Sequence, residues 1–261
     1  MSESGARQSL AVRLAGRVGR GVWRLAGVGE EVSASGVSVA QEAADEEPEA
    51  SGGRRTAVWE EFYRLGVGAL PAVVLVQFLF GTALALQIYF GLTLKGYVGG
   101  VVAQNVLRWV GPLATALVLV GFAGAAITAE MASGKRNRAA DGPDLGRTVC
   151  ALAGAAPLLN ALGQLAGLAG GWLISVSVLH VGGGVYWQRV GEYLMLKDVL
   201  LGAVKSACAG AVIAAVACRQ GYRAMDGGED VARAVQKSVV GSLTIVVVLE
   251  CVWFWVFYLG V

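Results

Sequence analysis

Long apolar runs alternate with short charged stretches through most of the chain. A helix needs about 20 apolar residues to cross the hydrocarbon core of a membrane. Windows that meet this requirement lie at about 67–90, 104–130, 148–179, 194–218 and 238–260. The pattern therefore predicts an all-α integral membrane protein with about five transmembrane helices. The third window leaves room either for a tilted span or for a short helix ahead of the span.

The amino-terminal part of the chain has a different pattern. Residues 1–30 repeat arginine at helical spacings beside an apolar stripe, which predicts an amphipathic helix on a membrane surface. A signal peptide is the competing interpretation, but arginines interrupt its apolar core. Residues 31–55 are acidic and contain Ser and Gly, a composition typical of a flexible linker. A second amphipathic segment, TAVWEEFYRLG, then begins the predicted membrane domain of residues 56–261.

The overall composition supports a membrane location. Hydrophobic residues make up 56% of the chain and charged residues only 15%, which is wrong for a soluble protein. Lys and Arg concentrate in the amino-terminal arm and in the segments 131–147 and 219–237, so these parts are predicted to be cytoplasmic. An odd number of spans then puts the amino terminus inside and the carboxyl terminus outside. The small net charge of +2 argues against a nucleic-acid partner.

The sequence offers little for bond-making chemistry. Four cysteines lie far apart in or beside apolar runs, and His180 is the one histidine. A zinc site needs about four clustered ligands, and a catalytic Cys or Ser needs a nearby base. The stretch ASGKRN lacks the first glycine of a phosphate-binding loop, so it does not predict ATP binding. We therefore predict neither an enzyme nor a metal or cofactor site.

A few polar residues in the apolar windows are the candidate functional residues. Asp198 and Lys205 are seven residues apart, on nearly one face of a helix. One interpretation is that both residues line a polar cavity or a dimer seam. The other is that Asp198 lies at the membrane border and only Lys205 is submerged, with its long side chain reaching outward. Glu250 is predicted to face another helix or to be protonated. Gln87 and Tyr89 offer polar atoms near the end of the first window, for a ligand or for core hydrogen bonds.

Small residues are dense in the third window. Gly163 and Gly167 form a GxxxG pattern, and Gly170 and Gly171 follow within the next turn. Glycine lets helix backbones approach closely, and helices in lipid associate through packing rather than through hydrophobic exclusion. These glycines are therefore predicted to lie at helix contacts, either within the subunit or between subunits.

From about Glu61 onward, the chain resembles the MlaE-type (YrbE) permeases, which are the membrane subunits of the Mla and Mce lipid-transport ABC systems. The resemblance rests on motifs in family order, namely RWVGP and AGAAITAE in the second window, PLLNALGQ in the third, KDVLLGAVKS at the start of the fourth, and CRQGY at its end. It implies a permease in the bacterial inner membrane, with the amino terminus cytoplasmic and the carboxyl terminus periplasmic.

The resemblance also implies partners. A separate ABC ATPase subunit would bind the ATP, and an MCE-domain protein would shuttle phospholipid outside the membrane. The permease would form a homodimer, or a heterodimer with a paralogue, around an apolar lipid pocket at the dimer interface. The candidates for that pocket or for transport are Gln87, Tyr89, Asp198, Lys205 and Glu250.

Several positions depart from the family pattern. Trp109, Phe122 and Gln164 stand where the family has charged residues, and Glu250 stands where the family has an aspartate. Removing both partners of a buried ion pair leaves no unpaired charge behind. Trp109 and Phe122 are therefore predicted to fill the space of a lost pair.

The stretch between the second and third windows departs most from the family. Relatives have a helix there that docks on the ATPase, whereas this chain has the shorter segment ASGKRNRAADGPDLGRT. We expect ATPase docking through this segment to be weak or absent, with 219–237 as the substitute. The alternative is a degenerate permease-like scaffold or heterodimer partner with no ATPase coupling of its own. The candidates for an ATPase-facing surface are Glu130, Lys135, Arg136, Arg138, Arg223, Asp226 and Arg233.

Overall fold

The computed structural model describes residues 54–92, 97–133, 145–227 and 230–259. These residues contain five helices that are long and apolar enough to cross a membrane, which confirms the predicted fold class. The amphipathic helix predicted at 1–30 and nearly all of the linker predicted at 31–55 lie outside the described residues.

The spans follow the predicted order, and their helices extend beyond most of the apolar windows. The first span is α1 (Arg54–Leu92), and the second is built from α2 (Val98–Asn105), α3 (Gly111–Leu119) and α4 (Ala125–Ala132). The remaining helices are α5 (Leu145–Ser177), the short α6 (Gly183–Tyr193), α7 (Leu196–Gly227) and α8 (Val231–Leu259). Since α5 is one continuous helix, the described residues contain no separate short helix ahead of the third span.

The bundle has two distinct ends. Ion pairs and a shared cleft bring together Arg64, Glu130, Arg147 and Arg223, and we call this the basic end. The opposite end carries α6, and we call it the far end. The segment 180–193, which lies between the third and fourth apolar windows, contains this short helix.

The second span is not a regular α-helix. Two π-helical turns interrupt it, at Val106–Val110 and at Val120–Gly124. In the first turn, the backbone N–H of Gly111 bonds to the carbonyl of Val106, five residues earlier. Pro112 follows and has no N–H, so the carbonyl of Arg108 lacks the usual donor four residues ahead. A carbonyl freed at membrane depth needs a donor from elsewhere in the protein.

Glycines allow α1 and α5 to pack closely. A methyl group on Gly81 would overlap the backbone carbonyl of Gly167, so the two helices meet there backbone to backbone. One turn away, a methyl group on Gly163 would lie 2.6 Å from Gln77 Nε2. Contact this close requires small residues on both helices, because larger side chains would separate the backbones.

The other two glycines of the third window also face neighbouring elements. Gly170 lies against the carbonyl of Phe78 in α1, and a methyl group on Gly171 would lie 2.6 Å from the Tyr186 hydroxyl in α6. All four predicted packing glycines thus lie at contacts within the protomer.

The far end is closed by α6, which is held by a buried tyrosine. The Tyr186 hydroxyl donates a hydrogen bond of 3.0 Å to the carbonyl of Leu168 in α5. Its ring belongs to an apolar cluster with Val102 and Val190, and burial raises the pKa of the Tyr186 hydroxyl. The short helix is therefore docked on the bundle.

Candidate functional site

Lys205 and Glu250 form an ion pair between α7 and α8. Lys205 Nζ donates a hydrogen bond of 3.0 Å to Glu250 Oε2, and only 1% of the lysine side chain is exposed. The same ammonium donates to the carbonyl of Arg108 at 3.3 Å, the carbonyl that Pro112 leaves without a helical donor. The lysine therefore joins the fourth span to both the fifth span and the first π-helical turn.

A second ion pair lies nearby, between the second span and the start of α7. Arg108 Nε lies 3.0 Å from Asp198 Oδ1, and Nη2 donates a hydrogen bond of 3.1 Å to Oδ2. The Nη2 contact is a hydrogen bond, whereas Nε is close to Oδ1 without the geometry of one, so the pair is held by one hydrogen bond and by the attraction of the two charges. We call Arg108, Asp198, Lys205 and Glu250 the far-half charge cluster.

The sequence left open whether Asp198 and Lys205 both lie inside the bundle or whether Asp198 lies at the membrane border. In the structure both side chains are buried and paired. Asp198 is 5% exposed as a residue, so it does not sit free at the aqueous border. The two residues take different partners, although they share a helix face. Glu250 faces α7, as its position among apolar neighbours led us to expect.

Trp109 adds an aromatic side to the cluster. Lys205 Nζ lies 4.7 Å from the centre of the Trp109 ring, and that ring packs at 5.0 Å on Phe254 of α8. The ring face attracts the ammonium electrostatically. Phe122 instead contacts Gly68 of α1, and it lies about 20 Å along the span from Trp109 at a helical rise per residue. The hypothesis that Trp109 and Phe122 together replace one lost ion pair is therefore wrong.

A network of uncharged polar side chains crosses the interior beside this cluster. Gln77 Nε2 donates to the Gly111 carbonyl at 3.0 Å and to Thr115 Oγ1 at 2.8 Å. Thr115 Oγ1 lies 3.4 Å from Asn160 Oδ1, and Gln164 Nε2 lies 3.4 Å from the carbonyl of Leu107. These amides supply hydrogen bonds to the irregular second span from two other helices. We call Gln77, Thr115, Asn160 and Gln164 the amide network.

At the basic end, four charged side chains connect three helices. Arg64 of α1 contacts Glu130 of α4 through both terminal nitrogens, with an Nη2–Oε2 distance of 2.9 Å. Glu61, one turn earlier in α1, lies 3.5 Å from Arg64 and 3.9 Å from Arg147 of α5. We call Glu61, Arg64, Glu130 and Arg147 the basic-end clamp.

The remaining ATPase-facing candidates are only partly described. Arg223 and Arg233 are exposed at the basic end. Lys135, Arg136 and Arg138 lie outside the described residues, as does the side chain of Asp226. Arg223 lines an open cleft of about 470 Å³ together with Arg219, Tyr222, Leu145 and Ala215.

The candidates in the first span do not join the charge cluster. Gln87 is exposed on the surface of the protomer, and the side chain of Tyr89 lies outside the described residues. Within the described residues, Gln87 therefore does not make the core hydrogen bond that was one of its two predicted roles.

Sequence reasoning missed several contributors, among them Arg108 of the charge cluster and two amides of the amide network, Gln77 and Asn160. Arg108 carried a signal, because an ionisable residue inside an apolar window is a functional candidate by default. Gln77 and Asn160 carried only the weaker signal of an amide in an apolar segment. Their hydrogen bonds depend on which way each helix is rotated, and the sequence does not specify that.

These features define a class of protein: a multi-pass α-helical membrane protein whose charged residues are paired inside the bundle. The sequence matches the family "Permease MlaE" over residues 58–141 and 147–256. The chain belongs to the MlaE permease family, which confirms the resemblance seen in the motifs. Membership places it among membrane permeases and not in a family of catalysts.

Three relatives of this chain carry names that state a transport function. A probable ABC transporter permease protein of Rickettsia typhi is 30% identical over 197 residues, covering 70% of this chain and 76% of the relative. The intermembrane phospholipid transport system permease protein MlaE of Haemophilus influenzae is 28% identical over 205 residues, covering 73% of this chain and 78% of the relative. A probable ABC transporter permease protein of Synechocystis is 28% identical over 183 residues, covering 66% and 69%.

Proposed function

We propose that this chain is the permease subunit of an ATP-driven phospholipid transporter in the bacterial inner membrane. A separate ABC ATPase supplies the energy, and an MCE-domain protein exchanges lipid with the permease on the far side. Two protomers, identical or paralogous, enclose a lipid-sized apolar cavity. The proposal draws on the family match and on the name of the Haemophilus relative.

The observation that carries the lipid assignment is the position of Arg108. Its side chain is 32% exposed although it is paired with Asp198, so part of this side chain lies on the surface of the protomer. Exposed apolar side chains of α7 and α8 flank the cluster, among them Leu200, Val204 and Phe254. Apolar surface alone is expected on any helix that faces lipid. A partly exposed arginine within that surface suits a phospholipid, whose phosphate can accept from an arginine while the acyl chains cover the apolar side chains.

The orientation follows from loop charge. The basic end carries the segments 131–147 and 219–237, where Lys and Arg concentrate, so it is assigned to the cytoplasm. The ATPase then binds at the basic end. The far end, with α6, faces the periplasm, and the carboxyl terminus lies on that side.

The test is to purify the tagged protein from its native membrane and to identify the ATPase, MCE protein and lipids that accompany it. Phospholipid bound per protomer is then compared between the wild type and Arg108→Lys. Lysine keeps the charge opposite Asp198 but cannot form the planar fork, so we expect about tenfold weaker phospholipid binding, equivalent to about 1.4 kcal/mol. Arg233→Lys, an exposed arginine at the opposite end, is the matched control and should bind as the wild type does.

Equal phospholipid binding in wild type and Arg108→Lys would remove Arg108 from the site. Copurification without any lipid, ATPase or MCE protein would contradict the transporter assignment itself.

A second function is favoured by one observation. The family match is interrupted between residues 141 and 147, within the shortened segment to which the family resemblance assigns ATPase docking. This interruption fits a permease-like scaffold or heterodimer partner without ATPase coupling of its own. ATP hydrolysis distinguishes the two functions, because a scaffold protomer alone should not stimulate an ATPase, whereas a complete permease should.

A further inference from the structure

The basic-end clamp connects three helices, although its ion pairs are too exposed to contribute much to the stability of the fold. Arg64 and Glu130 are each about a quarter exposed, at 24% and 26% of their side-chain surface. Ion pairs that water can reach contribute only about 0–1 kcal/mol to folding. The clamp is therefore better understood through the elements that it connects.

Those elements are the two helix ends that flank residues 134–144. Glu130 lies in the last turn of α4, which ends at Ala132, and Arg147 lies in the first turn of α5, which begins at Leu145. One turn of α1 contacts both, because Arg64 binds Glu130 and Glu61 approaches Arg147. A single turn of the first span thus holds both sides of the connection between the second and third spans.

The first span extends from this turn to the far end. It is a continuous helix of 39 residues, about 58 Å at the helical rise per residue, and it carries Gln87 near its other end. Along the way it packs backbone to backbone on α5 at Gly81 and donates from Gln77 to the second span. The first span therefore provides a continuous, packed connection between the two ends of the protomer.

We infer that the basic-end clamp couples the ends of α4 and α5 to α1, so that Arg64 and Glu61 act as positioning residues for ATP-driven transport. This inference rests on the proposed function, since it needs an ATPase bound at the basic end. An ATPase bound at 219–237 would act on α7, whose Gly221 packs against Met131 of α4, and the clamp passes the movement of α4 to the span that carries Gln87. Coupling of this kind requires a contact whose energy differs between states, which a paired arginine can provide.

The experiment uses the assembled transporter in proteoliposomes and measures phospholipid moved per ATP hydrolysed. Arg64→Gln should lower this ratio at least about fivefold, the lower range of typical coupling energies, while assembly and ATP hydrolysis persist. Glu61→Gln, which leaves the Arg64–Glu130 pair in place, should lower it less. Arg189→Gln is the matched control, because it removes an arginine from another ion pair, the exposed one with Glu192 in α6.

A charge exchange separates coupling from general damage. The double variant Arg64→Glu/Glu130→Arg reverses the pair and should recover part of the ratio, incompletely because Glu61 then lies beside a second glutamate. An unchanged ratio in Arg64→Gln, or no recovery in the double variant, would overturn the inference and leave the proposed function standing. A wild-type protein that moves no phospholipid on ATP hydrolysis would instead overturn the proposed function, and the inference with it.

Discussion

The Lys205–Glu250 pair yields the sharpest prediction about stability. Glu250→Leu removes the carboxylate and leaves the ammonium with the Arg108 carbonyl and the Trp109 ring alone. Because only 1% of the lysine side chain is exposed, water cannot solvate the ammonium in place of the lost carboxylate. Breaking a buried pair by removing one partner costs about 3–5 kcal/mol. Lys205→Met should cost a similar amount, since it leaves the Glu250 carboxylate unpaired.

A double variant tests whether the broken ion pair causes the loss of stability in the single variants. Lys205→Met/Glu250→Leu has no unpaired charge, but it leaves the Arg108 carbonyl without a donor, at about 1–3 kcal/mol. We therefore expect the double variant to be more stable than either single variant. The free energies come from equilibrium unfolding in mixed micelles with increasing denaturing detergent. Lys197→Met, at an exposed lysine on the same helix, should leave stability unchanged.

Additive effects would refute this reasoning. If the double variant lost the combined stability of the two single variants, Lys205 and Glu250 would not interact in the folded protein. A loss below about 1 kcal/mol in both single variants would show that water reaches the pair, as at a surface salt bridge.

Two further predictions concern packing and topology. Gly81→Ala should reduce the folded yield strongly, because its methyl group overlaps the Gly167 carbonyl, whereas Gly184→Ala, with open space around it, should fold normally; fluorescence-detected size exclusion measures both. In a cysteine-free background, a cysteine at Gln188 should react with an impermeant thiol reagent added from outside, and one at Arg233 only after the membrane is opened. Labelling of the Arg233 position from outside would reverse the proposed orientation.

The spans were predictable because each depends on local composition. An apolar run long enough to cross the membrane is visible without knowing its neighbours, and all five windows correspond to helices. The α6 helix was missed because Gly183–Tyr193 is short and its polar residues break any apolar window. It is held in place by Tyr186, whose partner Leu168 lies in a different span.

The site was predictable only as a set of residues. Asp198, Lys205 and Glu250 stood out because charge is rare inside apolar windows. Their partners did not follow from the sequence. The spacing allowed Asp198 and Lys205 either to share a polar cavity or to lie at different depths, whereas Asp198 pairs with Arg108 and Lys205 with Glu250. Helix rotation and the π-helical turn at Val106–Val110 decide those pairings, and neither is encoded in residue spacing alone.

The far-half charge cluster also constrains how the chain is made. The partner of Arg108 lies 90 residues later, and the partner of Lys205 lies 45 residues later. At about 5–20 residues per second, several seconds pass between the synthesis of Arg108 and the synthesis of its partner Asp198. During that interval an arginine in a membrane span carries an insertion penalty of about 2.5–3.5 kcal/mol near the helix centre. We therefore expect the early spans to remain at the insertion machinery until the fourth and fifth spans arrive.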